Sequence, residues 1–254
     1  HDARATALKG VALVSDPNDP LRLELLSTAA LNIYTQDGIR AAIGTIEAAR
    51  DRQPADSLSR ACLEIPLGTL ERRAGRNALA TRTLTQAYHD TEAPERAEAH
   101  SGAASALSYA LRAVGDLPEA LILQREKIDW DTAHGDSLAL SVSTYLKGVI
   151  LESMGELHPA IGVFERARNI SAALGDTQGV AFADMRICQS LTGLNQYLAA
   201  RSSCNSAARV FAASNTTDVL KETQVYLAII DLSEGRATEA LRTLNEVLDH
   251  GGSD

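Results

Sequence analysis

Val114-Gly115-Asp116-Leu117-Pro118-Glu119-Ala120-Leu121 and Met154-Gly155-Glu156-Leu157-His158-Pro159-Ala160-Ile161 stand 40 residues apart and follow one pattern. A fixed step of that length decides the architecture, because it makes the chain an array of equivalent supersecondary units. Two further copies keep the step, at Asn195-Gln196-Tyr197-Leu198-Ala199-Ala200 and at Gly235-Arg236-Ala237-Thr238-Glu239-Ala240-Leu241. Gly75 precedes Gly115 by 40, and a first copy, Asp37-Gly38-Ile39-Arg40, is shifted by two residues. Gly or Asn suits the left-handed residue that follows a helix, and Asp116 or its equivalents can open the next helix as N-cap. Each anchor therefore reads as a corner between two helices. A second set of turns falls half a period away, at Asp16-Pro17, Pro54-Ala55-Asp56, Ala93-Pro94, Gly135-Asp136, Gly175-Asp176 and Asn215-Thr216. The expected organisation is a partial helix over 1–16, helix pairs over about 17–54, 55–93, 94–134, 135–174, 175–214 and 215–250, and a tail at 251–254.

The aligned columns say how such helices pack. Seven residues before each corner stand Ala30, Gly68, Ser108, Gly148, Cys188 and Ala228, all small; five after it stand Ala42, Ala80, Ala120, Ala160, Ala200 and Ala240. Twelve after it come Ala49, Ala87, Lys127, Ala167, Ala207 and Val247, with Lys127 the exception, while Ile46, Leu84, Phe164 and Leu244 fill a column between. Small side chains let antiparallel helices approach closely, and the larger ones supply apolar filling.

This pattern resembles the tetratricopeptide (TPR) repeat over nearly the whole chain, in a longer 40-residue form similar to the repeats of MalT-like regulators. The large aromatic that the family carries early in its first helix is replaced by Leu26, Glu64, Ala104, Thr144, Asp184 and Gln224. The resemblance implies an all-α, right-handed α-solenoid, a TPR-like superhelix of about six antiparallel helix pairs whose first helices line a concave groove. By the same analogy the groove-facing side chains are Tyr34, Ile65, Arg72, Arg73, Tyr109, Arg112, Val142, Tyr145, Val149, Glu152, Phe182, Met185, Gln189, Val225, Ile229 and Leu232. The expected ligand-binding set is Arg72, Arg73, Tyr109, Arg112, Tyr145, Glu152, Phe182, Met185 and Gln189, holding a peptide, protein or small molecule through aromatic contact and arginine pairing. The alternative is that the aromatic members pack only against neighbouring helices.

Composition agrees with helices. Aromatics make up 4%, hydrophobic residues 45%, and no alternating Val/Ile/Thr runs appear. The net charge of -9 lacks the basic face a duplex needs, so nucleic acid is not an expected partner. The most apolar stretch, Leu138 to Leu151, contains Ser141, Ser143, Thr144 and Lys147 and does not read as a membrane span.

Catalytic and metal motifs are weak. Gly135-Asp136-Ser137-Leu138 spells the GDSL esterase signature, but here it coincides with the repeat's own turn, where Asp136 caps a helix. The histidines never fall at the i, i+4 spacing of a zinc helix, and neither GxxxxGK[ST] nor GxGxxG occurs. No catalytic residue, metal or cofactor is therefore expected. Trp130, between Asp129 and Asp131, reads as a packing residue or a small surface site. Cys188 and Cys204 belong on facing sides of the fifth pair, where they are either a disulfide in an oxidising compartment or two small core residues; Cys62 has no evident partner.

Arrays of this kind, rich in Ala and Arg with Gly-Asp turns between pairs, also resemble the sensor regions that precede a membrane helix and a GGDEF diguanylate cyclase or histidine kinase in bacterial signalling proteins. The resemblance implies a periplasmic input domain; the alternative is a cytoplasmic scaffold, adaptor or MalT-like regulator arm. The beginning at His1-Asp2 fits a processed or excised form. The ends, without polar capping helices, suggest either an excised domain or a homodimer joined end to end.

Overall fold

The computed structural model describes residues 9–16, 19–31, 36–55 and 57–249, and among these every regular element is helical. The helices are α1 (Pro20–Leu31), α2 (Gln36–Arg50), α3 (Leu58–Arg73), α4 (Asn77–Asp90), α5 (Ala97–Val114), α6 (Leu117–His134), α7 (Ser137–Ser153), α8 (Leu157–Ala173), α9 (Thr177–Gly193), α10 (Tyr197–Ala213), α11 (Thr217–Ser233) and α12 (Ala237–Asp249). The expectations for 1–8, Pro17, Tyr34, Asp56 and 251–254 lie outside the described residues. The chain is an all-α solenoid of antiparallel helix pairs, divided into two compact units, His1–Lys127 and Ile128–Asp254.

Gly38, read above as the first corner, lies inside α2, whereas from Gly75 onward the repeat corners share one lock. Gly75, Gly115, Gly135, Gly155, Gly175 and Gly235 have φ between 68° and 90°, and Asn195 and Asn215 take φ 59° and 54°. Only Gly, and less readily Asn, accepts this left-handed conformation without a Cβ clash. At each corner the next amide reaches back across the helix end, as when Glu156 N donates to Leu151 O at 2.9 Å and Gln196 N to Leu191 O at 2.9 Å. Between pairs, Asp136 and Asp176 accept from the amides of Ala139 and Gly179 at 2.9 Å, so the Asp of the GDSL string caps α7 and Ser137 is its first residue.

Within each unit the odd-numbered helices also touch one another, α1 with α3 and α3 with α5 in the first, α7 with α9 and α9 with α11 in the second. Burial follows from this placement. The even-numbered helix α10 buries a single stripe, Ala200, Cys204, Ala207 and Phe211, at the spacing of one helical face. Its partner α9 is covered on more sides and buries Ala181, Ala183, Asp184, Met185, Ile187, Cys188, Ser190, Leu191 and Thr192. Ala80, Ala120, Ala160, Ala200 and Ala240 are fully buried, as the repeated alanine column requires.

Two positions of the family's aromatic are taken instead by buried carboxylates. Glu64 lies 3.4 Å from Arg60, and Asp184 lies 3.3 Å from Arg168 of α8. Cys188 and Cys204 form a disulfide that joins α9 to α10, with Cα atoms 5.3 Å apart. Trp130 is half-buried, its ring stacked on His134 at a centroid distance of 3.7 Å.

Candidate functional site

In the second unit, the odd helices α7, α9 and α11 bring a polar cluster together around Arg186. Its Nε donates to the Tyr145 hydroxyl at 3.2 Å and its Nη1 to Gln189 Oε1 at 2.7 Å. The same Nη1 stands 3.5 Å from Glu152 Oε2, and the Ser190 hydroxyl donates to Glu152 Oε1 at 2.8 Å. Tyr145 and Glu152 come from α7, while Arg186, Gln189 and Ser190 come from α9. Helical geometry explains the grouping, since residues three or four apart on one helix share a face.

Electrostatics draw α11 into the cluster. Burial pushes the Glu152 carboxyl above its ordinary pKa against the pull of Ser190 and Arg186, and Glu222 pushes it further. Burial alone would lower the Arg186 guanidinium, but Tyr145, Glu152 and Glu222 together raise it. Burial, Glu222 and Glu152 likewise raise the Tyr226 phenol. A half-buried cation held by the Tyr145 phenol, the Gln189 amide and the Glu152 carboxylate makes a directional polar floor.

Of the residues expected in the groove, Tyr145, Glu152 and Gln189 are therefore brought into one cluster. Met185 is not: it is 2% exposed and packs with Ala181, Ala207 and Phe211 in the core. Phe182 lies against that core, its ring 5.2 Å from Phe211 in an edge-on contact. The cause is angular. One residue is about 100° of helix turn, so the groove side of α9 belongs to Arg186 and the adjoining Met185 turns toward α10. Arg186 and Tyr226, each nine residues before a corner, and Glu222 were missed by the sequence reading. A long cation in a first helix, where Pro66, Ala106 and Leu146 stand in equivalent places, was the available signal.

In the first unit, Arg72 of α3 lies over the ring of Tyr109 of α5, with Cζ 5.3 Å from the centroid. Arg73 is exposed, and Arg112 is half-buried in the last turn of α5. Among the described residues no group of three or more His, Cys, Asp or Glu side chains could hold a metal ion, and no helix is long and apolar enough to cross a membrane.

No protein-family model matches the sequence, and no curated protein matches it. Its fold, however, recurs among solved structures. A Rap protein complexed with Competence and Sporulation Factor superposes with a TM-score of 0.70 at 14% identity, over 97% of this chain and 72% of that one. The nearly identical TPR-like repeats of a putative kinesin light chain from Podosopora anserina give 0.61 at 15%, over 79% and 99%. Aspartyl phosphate phosphatase F from Bacillus subtilis gives 0.69 at 11%, over 99% and 64%. At such identities the likeness defines the fold, and the fold is that of a TPR-like repeat protein.

Proposed function

We propose that this chain is a non-catalytic binding module that holds a peptide or protein segment on the face formed by α7, α9 and α11 of its second unit. The observation that carries this reading is the Tyr145–Glu152–Arg186–Gln189 cluster, where two adjacent helices converge on one partly buried cation. A floor of this kind offers donors and acceptors to an extended backbone while the flanking rings offer apolar contact. The similarly folded Rap protein was solved with a bound factor, which supports use of the fold for ligand capture.

The finer reading is a ligand-sensing input domain of a bacterial signalling protein, situated in the periplasm ahead of a membrane-anchored diguanylate cyclase or histidine kinase. The Cys188–Cys204 disulfide favours an oxidising compartment over the cytoplasm. Native mass spectrometry of the purified chain, at gentle and then denaturing settings, tests the binding reading. A co-purified molecule should be released on unfolding and be lost from the Tyr145→Phe/Arg186→Gln variant. Full retention by that variant places binding elsewhere. Maleimide labelling in intact cells tests the compartment, and reduced, reactive Cys188 and Cys204 there would rule out the periplasm.

A further inference from the structure

The donors and acceptors of the Arg186 floor are not equally spent. A guanidinium can only donate, so the Gln189 atom that faces it at 2.7 Å is the amide oxygen, and the Tyr145 phenol oxygen accepts from Nε at 3.2 Å. Glu152 turns one carboxylate oxygen to Arg186 and the other to the Ser190 hydroxyl. Each of these acceptors already faces a donor inside the cluster. Donors, in contrast, are left over: the Tyr145 O–H, the Gln189 amide N–H groups and the N–H groups of Arg186 Nη2 meet no acceptor among the described residues. Tyr145, Arg186 and Gln189 are half-buried, so a ligand can reach them from solvent.

Apolar surface runs beside these donors. Val142, 50% exposed, stands one helical turn before Tyr145 on α7, and the half-buried Phe182 stands one turn before Arg186 on α9, so each shares a face with a floor residue. The two helices pack side by side. Charge is balanced where they meet, because Glu152 lies against Arg186. A carboxylate ligand would be repelled by Glu152, whereas a neutral carbonyl oxygen meets donors without that cost. An ordinary peptide brings an N–H with each C=O, and an N–H turned to this floor would face another donor and lose its own hydrogen bond. Proline brings the carbonyl without the N–H, and a run of prolines forms an extended helix whose carbonyls make no internal bonds.

We propose that the face of α7 and α9 binds a neutral, proline-rich segment, whose carbonyl oxygens accept from Tyr145, Arg186 and Gln189 while its rings lie against Val142 and Phe182. The assignment rests on the binding-module reading above and adds the chemistry of the ligand. Its test is fluorescence anisotropy on the full chain with fluorescein-labelled decaproline, a glycine–serine peptide of equal length, and hexaglutamate. Decaproline should bind most tightly, and its affinity should change little as salt is raised, since the ligand carries no charge that salt could screen. Tyr145→Phe keeps the ring and removes the O–H; Gln189→Glu keeps an oxygen toward Arg186 and removes the N–H groups. Each should weaken decaproline binding by roughly three- to tenfold, with an unchanged helical circular dichroism spectrum. Unaltered affinity in both variants overturns the assignment. So does binding of the glycine–serine peptide or of hexaglutamate as tight as that of decaproline. If decaproline fails while a co-purified molecule is still lost from Tyr145→Phe/Arg186→Gln, the binding-module reading stands and the proline-rich ligand does not; if that molecule is retained as well, both fall.

Discussion

A Cβ placed on Gly148 would come within 2.5 Å of the Phe164 ring, and one on Gly68 within 2.4 Å of Leu84. Both are contacts between residues 16 apart, and the same separation recurs where Ser108 donates to Gln124 at 2.8 Å and where Cys188 is bonded to Cys204. One slot per pair is thus filled in three ways, by a large side chain against glycine, by a buried hydrogen bond and by a disulfide. The small column was legible in the sequence because each position obeys a steric limit. The other side was legible only where it is apolar; Gln124 and Cys204 break the run of Ile46, Leu84, Phe164 and Leu244 because their chemistry replaces bulk. Gly148→Ala should destabilise the protein by about 1–3 kcal/mol, since Phe164 is fully buried and has no room to yield. Gly162→Ala, on the next helix and with nothing within 4 Å of the added Cβ, should instead stabilise by about 0.5–1 kcal/mol. Urea denaturation of the two variants checks both signs.

Most helix ends from Gly75 onward were readable because glycine or asparagine marks the corner and aspartate the turns before α7 and α9, whereas Gly38, which lies inside α2, misplaced the first one. Which way each side chain faces was harder, as Met185 and Arg186 illustrate: a single-residue error in angle exchanges a core residue for the hub of the candidate site. Even-numbered helices with one buried stripe suffer less from such an error than α9, which is covered on several sides. At this scale the disulfide has a measurable weight. Closing a loop of 16 residues removes denatured-chain entropy worth about 3 kcal/mol on the loop-closure account. Reduction, or Cys188→Ser/Cys204→Ser, should lower the melting temperature of the second unit on the order of 10 °C. Calorimetry with and without reductant measures it, and an unchanged melting temperature would leave the bond without stabilising effect.

For the molecule as a whole, acidity is the informative variable. Burial raises the carboxyl pKa of Glu64, Glu71 and Glu152 in the folded state. A raised folded pKa means that the native form binds protons the unfolded chain does not, so stability grows as pH falls from the folded value toward the ordinary value near 4.5. Asp231 opposes this: against burial, its bonds to Arg236 and Arg201 hold its pKa below the usual range, and that contribution is lost as pH falls through the lowered value. With three groups against one, and a net charge of -9 being neutralised, mild acidification from neutrality should raise the melting temperature. Glu64→Gln combined with Glu71→Gln should flatten that rise. A melting temperature that falls steadily from pH 7 toward 5 in the unmodified protein contradicts this account.

The Cys188–Cys204 bond ties the two helices of a single pair and leaves its neighbours unlinked. Under mechanical load, the described array would peel pair by pair, yet the segment inside that bond would stay slack and never bear tension. The 16-residue loop corresponds to about 5 nm of extended chain. In single-molecule stretching, the oxidised protein should therefore reach full extension about 5 nm short of the reduced one, making the bond a ruler for its own redox state.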